Sequence, residues 1–291
     1  MYTGALEAGG TKMVCAVFDE KANLIKEKSF PTKTPDETIP GLIEFFKDEK
    51  VDALGIGCFG PIDLDKSSDT YGYITSTPKT AWRNFNMVGA FKDALGVPIG
   101  FDTDVNGSAL GEHTFGIGRG VDNLVYITIG TGIGIGVIND GKLLHGGMHP
   151  EGGHIMLTKH SKDDFECICP YHKSCFEGLA SGPAIEKRWG KKGQELSGRD
   201  EVWQLEADYI AKAIFNYTAV LSPQMIILGG GVMHQKQLFP MIREAFVKRN
   251  NGYIRNRYTD DPDNYIVCQS LDDKQGILGA FRLGMDALEG Q

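Results

Sequence analysis

Long apolar runs are missing from this chain. No window of about 20 uninterrupted apolar residues occurs, which excludes a membrane-spanning helix. An excess of basic residues is missing too. Lys and Arg number 30 against 38 Asp and Glu, the formal net charge is −8, and the cations are scattered. That excludes recognition of nucleic acid through a broad positive field. An acidic protein still binds an anionic nucleotide through local N–H groups, a few cations and a metal ion. The opening residues MYTGALEAGG lack a basic segment and a long apolar one, so no secretion signal is expected and a cytoplasmic location is. Nor does any linker rich in Pro, Gly or Ser, or any low-complexity segment, divide the chain.

What is present is ordinary for a soluble α/β protein. The 291 residues are 41% hydrophobic and 23% charged, enough for one large domain or two medium ones. The first 30 residues read as three strands joined by short polar turns. A helix follows from Thr34-Pro-Asp-Glu, with Ile39, Leu42, Ile43 and Phe46 on one face. VDALGIGCFG reads as a buried strand, FNMVGAFKDAL as a helix, VPIGFD as a strand and DVNGSALGEHTF as a helix. NLVYITIGTGIGIGVIND then repeats the opening theme of apolar strand, Gly-Thr turn and second apolar strand. The recurrence suggests two halves, each opening on a hairpin. Later come a long helix over about 199–221, a strand MIILGGGVM with a helix over 234–249, a strand NYIVCQS, and a closing helix GILGAFRLGMDAL. Strands alternating with helices make the class α/β.

Three glycine-rich turns follow apolar strands: Gly9-Gly10-Thr11-Lys12, Gly130-Thr131-Gly132 and Gly229-Gly230-Gly231. Glycine lets another backbone or a ligand approach closely, and successive turn N–H groups form an anion-binding concavity. One such turn alone is an ordinary hairpin. Three together, two of them with threonine, point to nucleotide phosphates. None fits the P-loop pattern or a dinucleotide fingerprint opening a helix. In FDTDVNGSALGE, Asp102 and Asp104 stand where a strand gives way to a helix. One carboxylate suffices to cap the helix; the second is free to take a proton from a hydroxyl, at the strand end where α/β proteins place ligands.

The six cysteines fall into two sets. Cys15, Cys58 and Cys268 lie in apolar strand contexts and read as core residues. Cys167, Cys169 and Cys175 are crowded together, with Cys169, His172 and Cys175 spaced Cys-x2-His-x2-Cys and His154 nearby. Without a secretion signal such crowding reads as metal binding, and tetrahedral zinc suits it. Five candidates compete for four positions; His154, Cys169, His172 and Cys175 are preferred, with Cys167 in reserve.

These motifs together resemble the ROK sugar kinases, and within them the bacterial fructokinases, over nearly the whole chain. AGGTK resembles the family's first phosphate loop, with Glu7 where Asp is usual. TDVN resembles Asn-Asp-Ala-Asn, whose Asp is the catalytic base; that residue is Asp104, and Thr103 replaces the usual Asn. ITIGTGIG resembles the second phosphate loop and ILGGG the adenosine-side glycines. Pro-Glu-Gly-Gly-His resembles the sugar-holding Gly-Glu-x-Gly-His. The cysteine loop departs from the commoner Cys-x-Cys-Gly-x2-Gly-Cys by one extra residue and offers His172. That departure, HPEGGH and YGYITSTPKTAW carry the likeness to fructokinases.

The resemblance implies an actin-like ATPase (ribonuclease H-like) fold, two lobes around a cleft. Residues 1–118 would form the small lobe, joined by the returning helix 274–291, and 119–273 the large lobe with a zinc loop over 154–175. It implies ATP-dependent phosphorylation of a hexose, D-fructose to fructose 6-phosphate, with ATP, Mg²⁺ and a structural Zn²⁺. Asp104 would be the base; Glu151, His154 and Thr103 would contact the sugar. Gly9, Gly10, Thr11, Lys12, Gly130, Thr131, Gly132, Pro183, Gly229, Gly230 and Gly231 would hold the nucleotide. His154 would serve metal and sugar through its two ring nitrogens. A homodimer is implied, with no nucleic-acid or membrane partner. Glucose, mannose or an N-acetylhexosamine are alternative substrates. A non-catalytic sugar sensor is the less favoured reading, because Asp104 and all three glycine turns are kept. Lys79 and Trp82 are candidates for substrate-side contact, with core packing the stronger reading for Trp82.

Overall fold

The computed structural model describes residues 1–290. Residues 1–119, 143–150 and 274–290 make one compact unit; 120–142 and 151–273 make the other.

The first unit is built on five strands: β1 (Tyr2–Ala8), β2 (Lys12–Asp19), β3 (Leu24–Pro31), β4 (Ala53–Cys58) and, beyond a minor pair β5 (Tyr73–Ile74) and β6 (Phe85–Asn86), β7 (Ile99–Thr103). Their order is β3-β2-β1-β4-β7. β1, β2 and β3 form an antiparallel meander, while β4 and β7 run parallel to β1. Alternation along β1 and β2 sorts the side chains between two cores. Leu6, Met13, Cys15 and Val17 face a cluster with Leu42, Phe46, Leu54, Ile56 and Phe91. Ala5, Val14, Ala16 and Phe18 face the other way, onto Ile277, Ala280 and Phe281. All six residues of β4 are buried, because both faces of the sheet are covered.

Helices α1 (Pro35–Glu49) and α2 (Met87–Leu95) cover the first face. In α1 the buried stripe is Ile39, Leu42, Phe45 and Phe46, and Ile43 is only partly covered. α2 begins where the Asn86 side chain accepts the Gly89 N–H at 2.7 Å and ends at left-handed Gly96. The opposite face receives the C-terminal helix, Gln275–Glu289, which lies against α3 (Asp104–Phe115). Contact there is backbone to backbone: a β-carbon on Gly279 would sit 1.7 Å from the carbonyl oxygen of Gly107.

The second unit repeats the plan. β8 (Leu124–Ile129) and β9 (Ile133–Asn139) are an antiparallel hairpin, followed by β10 (Lys142–Leu143), β11 (Met225–Gly229) and β12 (Ile266–Cys268). The order is β10-β9-β8-β11-β12, with β11 parallel to β8 and β12. Its helices are α4 (Phe176–Ala180), α5 (Gly182–Trp189), α6 (Asp200–Leu221) and α7 (Leu238–Asn250). α6 buries Trp203, Ala207, Ile210, Ala211 and Ile214, a stripe at helical spacing.

Three expectations are corrected. Residues 143–150 belong to the first unit and not with 119–273, because His145 bonds Asp102 and His149 bonds the Ile62 N–H. The helix expected over 234–249 is a 3₁₀ turn, Gly231–His234, and then α7. Cys268 is half-exposed: β12 is the edge strand, and the thiol meets the Lys236 ammonium at 3.2 Å. No helix among the described residues is long and apolar enough to cross a membrane.

Candidate active site and metal cluster

In the first unit the turn Gly9-Gly10-Thr11 joins β1 to β2. It is closed by the Gly9 N–H on the Lys12 carbonyl, 3.1 Å. The end of β3 clamps it from the side: the Thr32 N–H donates to the Thr11 carbonyl at 3.0 Å, and the Thr32 hydroxyl to the Gly9 carbonyl at 2.8 Å. Thr11 and Lys12 are exposed. The N–H groups of Gly10 and Thr11 meet no acceptor among the described residues.

Asp104 is the first residue of α3, and neither it nor Asp102 caps that helix. Thr103 does, its hydroxyl accepting the Asn106 N–H at 3.0 Å. The resemblance puts Thr103 against the sugar; the structure buries its side chain in the cap. Asp104 is half-buried and accepts the Val105 N–H at 2.9 Å. Burial pushes its carboxyl above the usual aspartate range, and the Val105 N–H offsets only part of the rise.

Asp102, two residues earlier, is buried at the end of β7. One oxygen accepts the Thr103 N–H and the Asn106 amide, each at 2.7 Å; the other meets His145 Nε2 at 2.8 Å. That bond holds the His145 imidazole above the ordinary histidine range, against the opposing effect of partial burial. His149 goes the other way. Burial lowers it, and as a neutral ring its Nε2 accepts the Ile62 N–H at 3.2 Å.

In the second unit the turn Gly130-Thr131-Gly132 is closed by the Gly130 N–H on the Gly132 carbonyl at 2.9 Å, with Thr131 exposed. The start of α5 comes up to it: the Gly182 N–H donates to the Gly130 carbonyl at 2.8 Å, and exposed Pro183 follows. The third glycine run leaves β11 here as well. A β-carbon on Gly130 would lie 3.9 Å from the Gly231 nitrogen. Gly230 takes φ +86°, which a side chain opposes. The fold thus gathers Gly130, Thr131, Gly132, Pro183 and the run Gly229-Gly230-Gly231 on one side of this unit.

The preferred metal residues also converge. Ligand atoms of His154, Cys169, His172 and Cys175 all lie within 4.8 Å of one another. Cys169 Sγ is 3.4 Å from His172 Nδ1 and 3.9 Å from His154 Nδ1, while Cys175 Sγ accepts the Gly178 N–H at 3.4 Å. Two thiols and two imidazoles in such a space are a donor set that fits tetrahedral zinc. Cys167 stays outside the group, its sulfur packed on Gly178. The loop bearing these residues is pinned by a buried pair: Arg188 meets Asp163 at 3.2 Å, Tyr209 donates to Asp163 at 2.6 Å, and the guanidinium stacks on Phe165 at 4.1 Å.

Glu151 is exposed just before the turn Gly152–His154. That turn is laid on β9 so closely that a β-carbon on Gly153 would meet the Ile133 carbonyl oxygen at 1.8 Å. The sequence reading missed Glu177. Its carboxylate accepts the Ile133 N–H at 2.9 Å, and its other oxygen is 3.9 Å from His154 Nε2. It therefore ties the β8–β9 hairpin to His154, whose Nδ1 faces the Cys169 thiol. A signal was present: Glu177 is the only charged residue of α4, whose other four residues are buried.

The profile of the ROK family matches residues 3–287. The chain belongs to the ROK family. It is 50% identical over 289 residues to a putative fructokinase of Bacillus subtilis, covering 99% of this chain and 97% of that one. It is 46% identical over 289 residues to a fructokinase of Pediococcus pentosaceus, covering 99% of both. Among solved structures, a ROK hexokinase from Thermus thermophilus superposes with TM-score 0.82 at 24% identity over the full length of both chains. A ROK glucokinase from Streptomyces griseus, solved with glucose and AMPPNP, gives 0.75 at 24% identity, covering 98% of this chain and all of that one. Fold likeness extends across ROK kinases of several sugars; the high sequence identity falls on fructokinases.

Proposed function

We propose that this protein is an ATP-dependent fructokinase, transferring the γ-phosphoryl group of ATP to the 6-hydroxyl of D-fructose. The observation that carries the reading is identity of 42–50%, over 87–99% of this chain, to five proteins, four named fructokinase and one putative fructokinase, while glucokinases of the family stand at 26–31%.

Phosphoryl transfer asks a protein mainly for position and charge neutralisation. Asp104 is the base. Its raised carboxyl holds a proton more firmly than an ordinary aspartate, which suits it to take one from an alcohol. As the sugar oxygen bonds to the γ-phosphorus, the bond to the β,γ-bridging oxygen breaks and ADP leaves; the hydroxyl proton passes to Asp104. The turns Gly9-Gly10-Thr11-Lys12 and Gly130-Thr131-Gly132 hold phosphate oxygens. Pro183 and the Gly229-Gly230-Gly231 run flank the nucleoside. Mg²⁺, when bound with the nucleotide, neutralises phosphate charge.

Glu151, His154 and Glu177 receive the sugar hydroxyls. Thr103 serves them indirectly, by setting the turn that presents Asp104. Zn²⁺ would be held by His154, Cys169, His172 and Cys175, where it would neutralise two thiolates and stiffen the loop. Were His154 to bind through Nδ1, its Nε2–H would be left to face Glu177 and substrate, and the loop's geometry would depend on the metal.

The test is ATP consumption with D-fructose, D-glucose, D-mannose and N-acetylmannosamine, with the phosphorylated position identified by NMR. Fructose should give the highest kcat/KM and fructose 6-phosphate as product. A higher kcat/KM for another hexose would replace the substrate assignment, and no turnover with any would remove the kinase.

A further inference from the structure

We infer that Lys79 is a catalytic cation of this kinase, its ammonium bonded to the phosphoryl group in transit. The inference rests on reading Gly9-Gly10-Thr11 as a phosphate loop. Lys79 lies outside every recognisable phosphate motif. It sits about 70 residues downstream of that turn in sequence, just before the 3₁₀ turn Thr80–Trp82, yet the fold lays it on Gly10. A β-carbon on Gly10 would be 3.0 Å from Lys79 Cε and 3.9 Å from its Nζ.

The placement is held firmly. Trp82 is buried, donates its indole N–H to the Lys33 carbonyl at 2.7 Å, and meets Phe59 and Phe85 edge-on at 5.7 and 5.4 Å. The Trp82 N–H bonds back to the Lys79 carbonyl at 2.8 Å, and the Lys79 N–H reaches buried Thr77. The lysine stem is half-buried. No hydrogen bond or ion pair engages its ammonium among the described residues.

Three donors are therefore collected with nothing to receive them: the N–H groups of Gly10 and Thr11 and the ammonium of Lys79. Donors of one sign repel unless an anion lies among them, and a solvated surface lysine has no reason to fold its stem over a glycine turn. A tetrahedral dianionic phosphoryl group suits the arrangement, because a lysine binds phosphate as a point charge without demanding planar geometry. In the reaction Lys79 neither gives nor takes a proton. It stabilises non-bridging oxygens while the phosphorus exchanges one bridging oxygen for the sugar oxygen.

The experiment measures calorimetric affinity, with Mg²⁺ present, for ADP and for the non-hydrolysable β,γ-imido analogue of ATP, together with steady-state rates. Lys79→Gln should weaken the triphosphate analogue about ten- to hundredfold, the scale of a lost charge-assisted bond, and lower kcat. ADP should stay within about threefold on the same scale. Lys79→Arg should recover part of the loss, and small alkylamines should partly restore turnover to Lys79→Ala. Equal losses for ADP and the triphosphate, or no loss for either, overturn the inference. Thr11→Val, measured alongside, separates the two levels. If it weakens nucleotide binding while Lys79→Gln does not, the loop reading stands and Lys79 falls. If neither variant changes binding, the loop reading falls with it. Circular dichroism of each variant confirms that a loss reflects the site and not the fold.

Discussion

Replacing Asp104 by Asn separates catalysis from folding at one atom. Asn keeps the oxygen that accepts the Val105 N–H at 2.9 Å, the volume of the side chain and the Thr103 cap. What it removes is the ionisable oxygen. Loss of a positioned general base lowers the rate about 10²–10⁴-fold, or about 2.7–5.5 kcal/mol at about 1.36 kcal/mol per tenfold. Stability should move the opposite way. Burial raises the folded-state pKa of Asp104, so ionisation opposes folding. The group favours folding below its unfolded pKa, and that advantage is lost as pH rises through the folded one. At pH 7 the wild type therefore carries a cost that the Asn variant does not, and the variant should melt higher at pH 7, with the gap narrowing toward pH 4. The wild-type kcat/KM should fall on the acid side at a pH above the usual aspartate range, because the base must be ionised to work. Coupled ADP assays, calorimetric ATP affinity and thermal melts at the two pH values read all of this. Turnover within tenfold of wild type would sink the base assignment; a lower melting point at pH 7 would sink the electrostatic reasoning.

Three further perturbations probe other parts of the molecule. Glu206 is buried in α6 with one oxygen lacking a hydrogen-bond partner, and burial raises its pKa well above normal. Its contribution is present in acid and lost as pH rises through that raised value, so Glu206→Gln should gain stability over wild type between pH 5 and pH 9 in urea melts. A gap that shrinks with rising pH would refute this. Cys175→Ser should lose bound zinc, measured by mass spectrometry of metal content, whereas Cys167→Ser should retain about one ion per chain, as a four-ligand site requires. Metal loss in Cys167→Ser would redraw the ligand set. Gly279→Ala drives a β-carbon to 1.7 Å from the Gly107 carbonyl oxygen and should destabilise the protein by about 3 kcal/mol or more, since backbone cannot yield as a side chain does. A denaturant midpoint equal to wild type would refute the close docking of the C-terminal helix.

Much of this protein was written locally. The meander, the second Gly-Thr hairpin and α6 were legible because strand and helix periods with glycine punctuation depend on near neighbours. The convergence of His154, Cys169, His172 and Cys175 was legible because three of them, Cys169, His172 and Cys175, share one short loop, whereas Cys167 packs instead on Gly178. What no local pattern carried was every relation across long separations. Thr103, and not an aspartate, caps α3, because Asp102 is engaged by Asn106 and by His145, 43 residues away. Glu177 meets the hairpin at Ile133 across 44 residues, and Lys79 reaches Gly10 only because Trp82 is anchored between Phe59 and Phe85. The sequence by itself determined the strands, helices and chemical groups, whose preferences are set over a few residues. Tertiary structure alone decided which groups meet, because a hydrogen bond or an electrostatic contact acts over ångströms in space and is indifferent to distance along the chain.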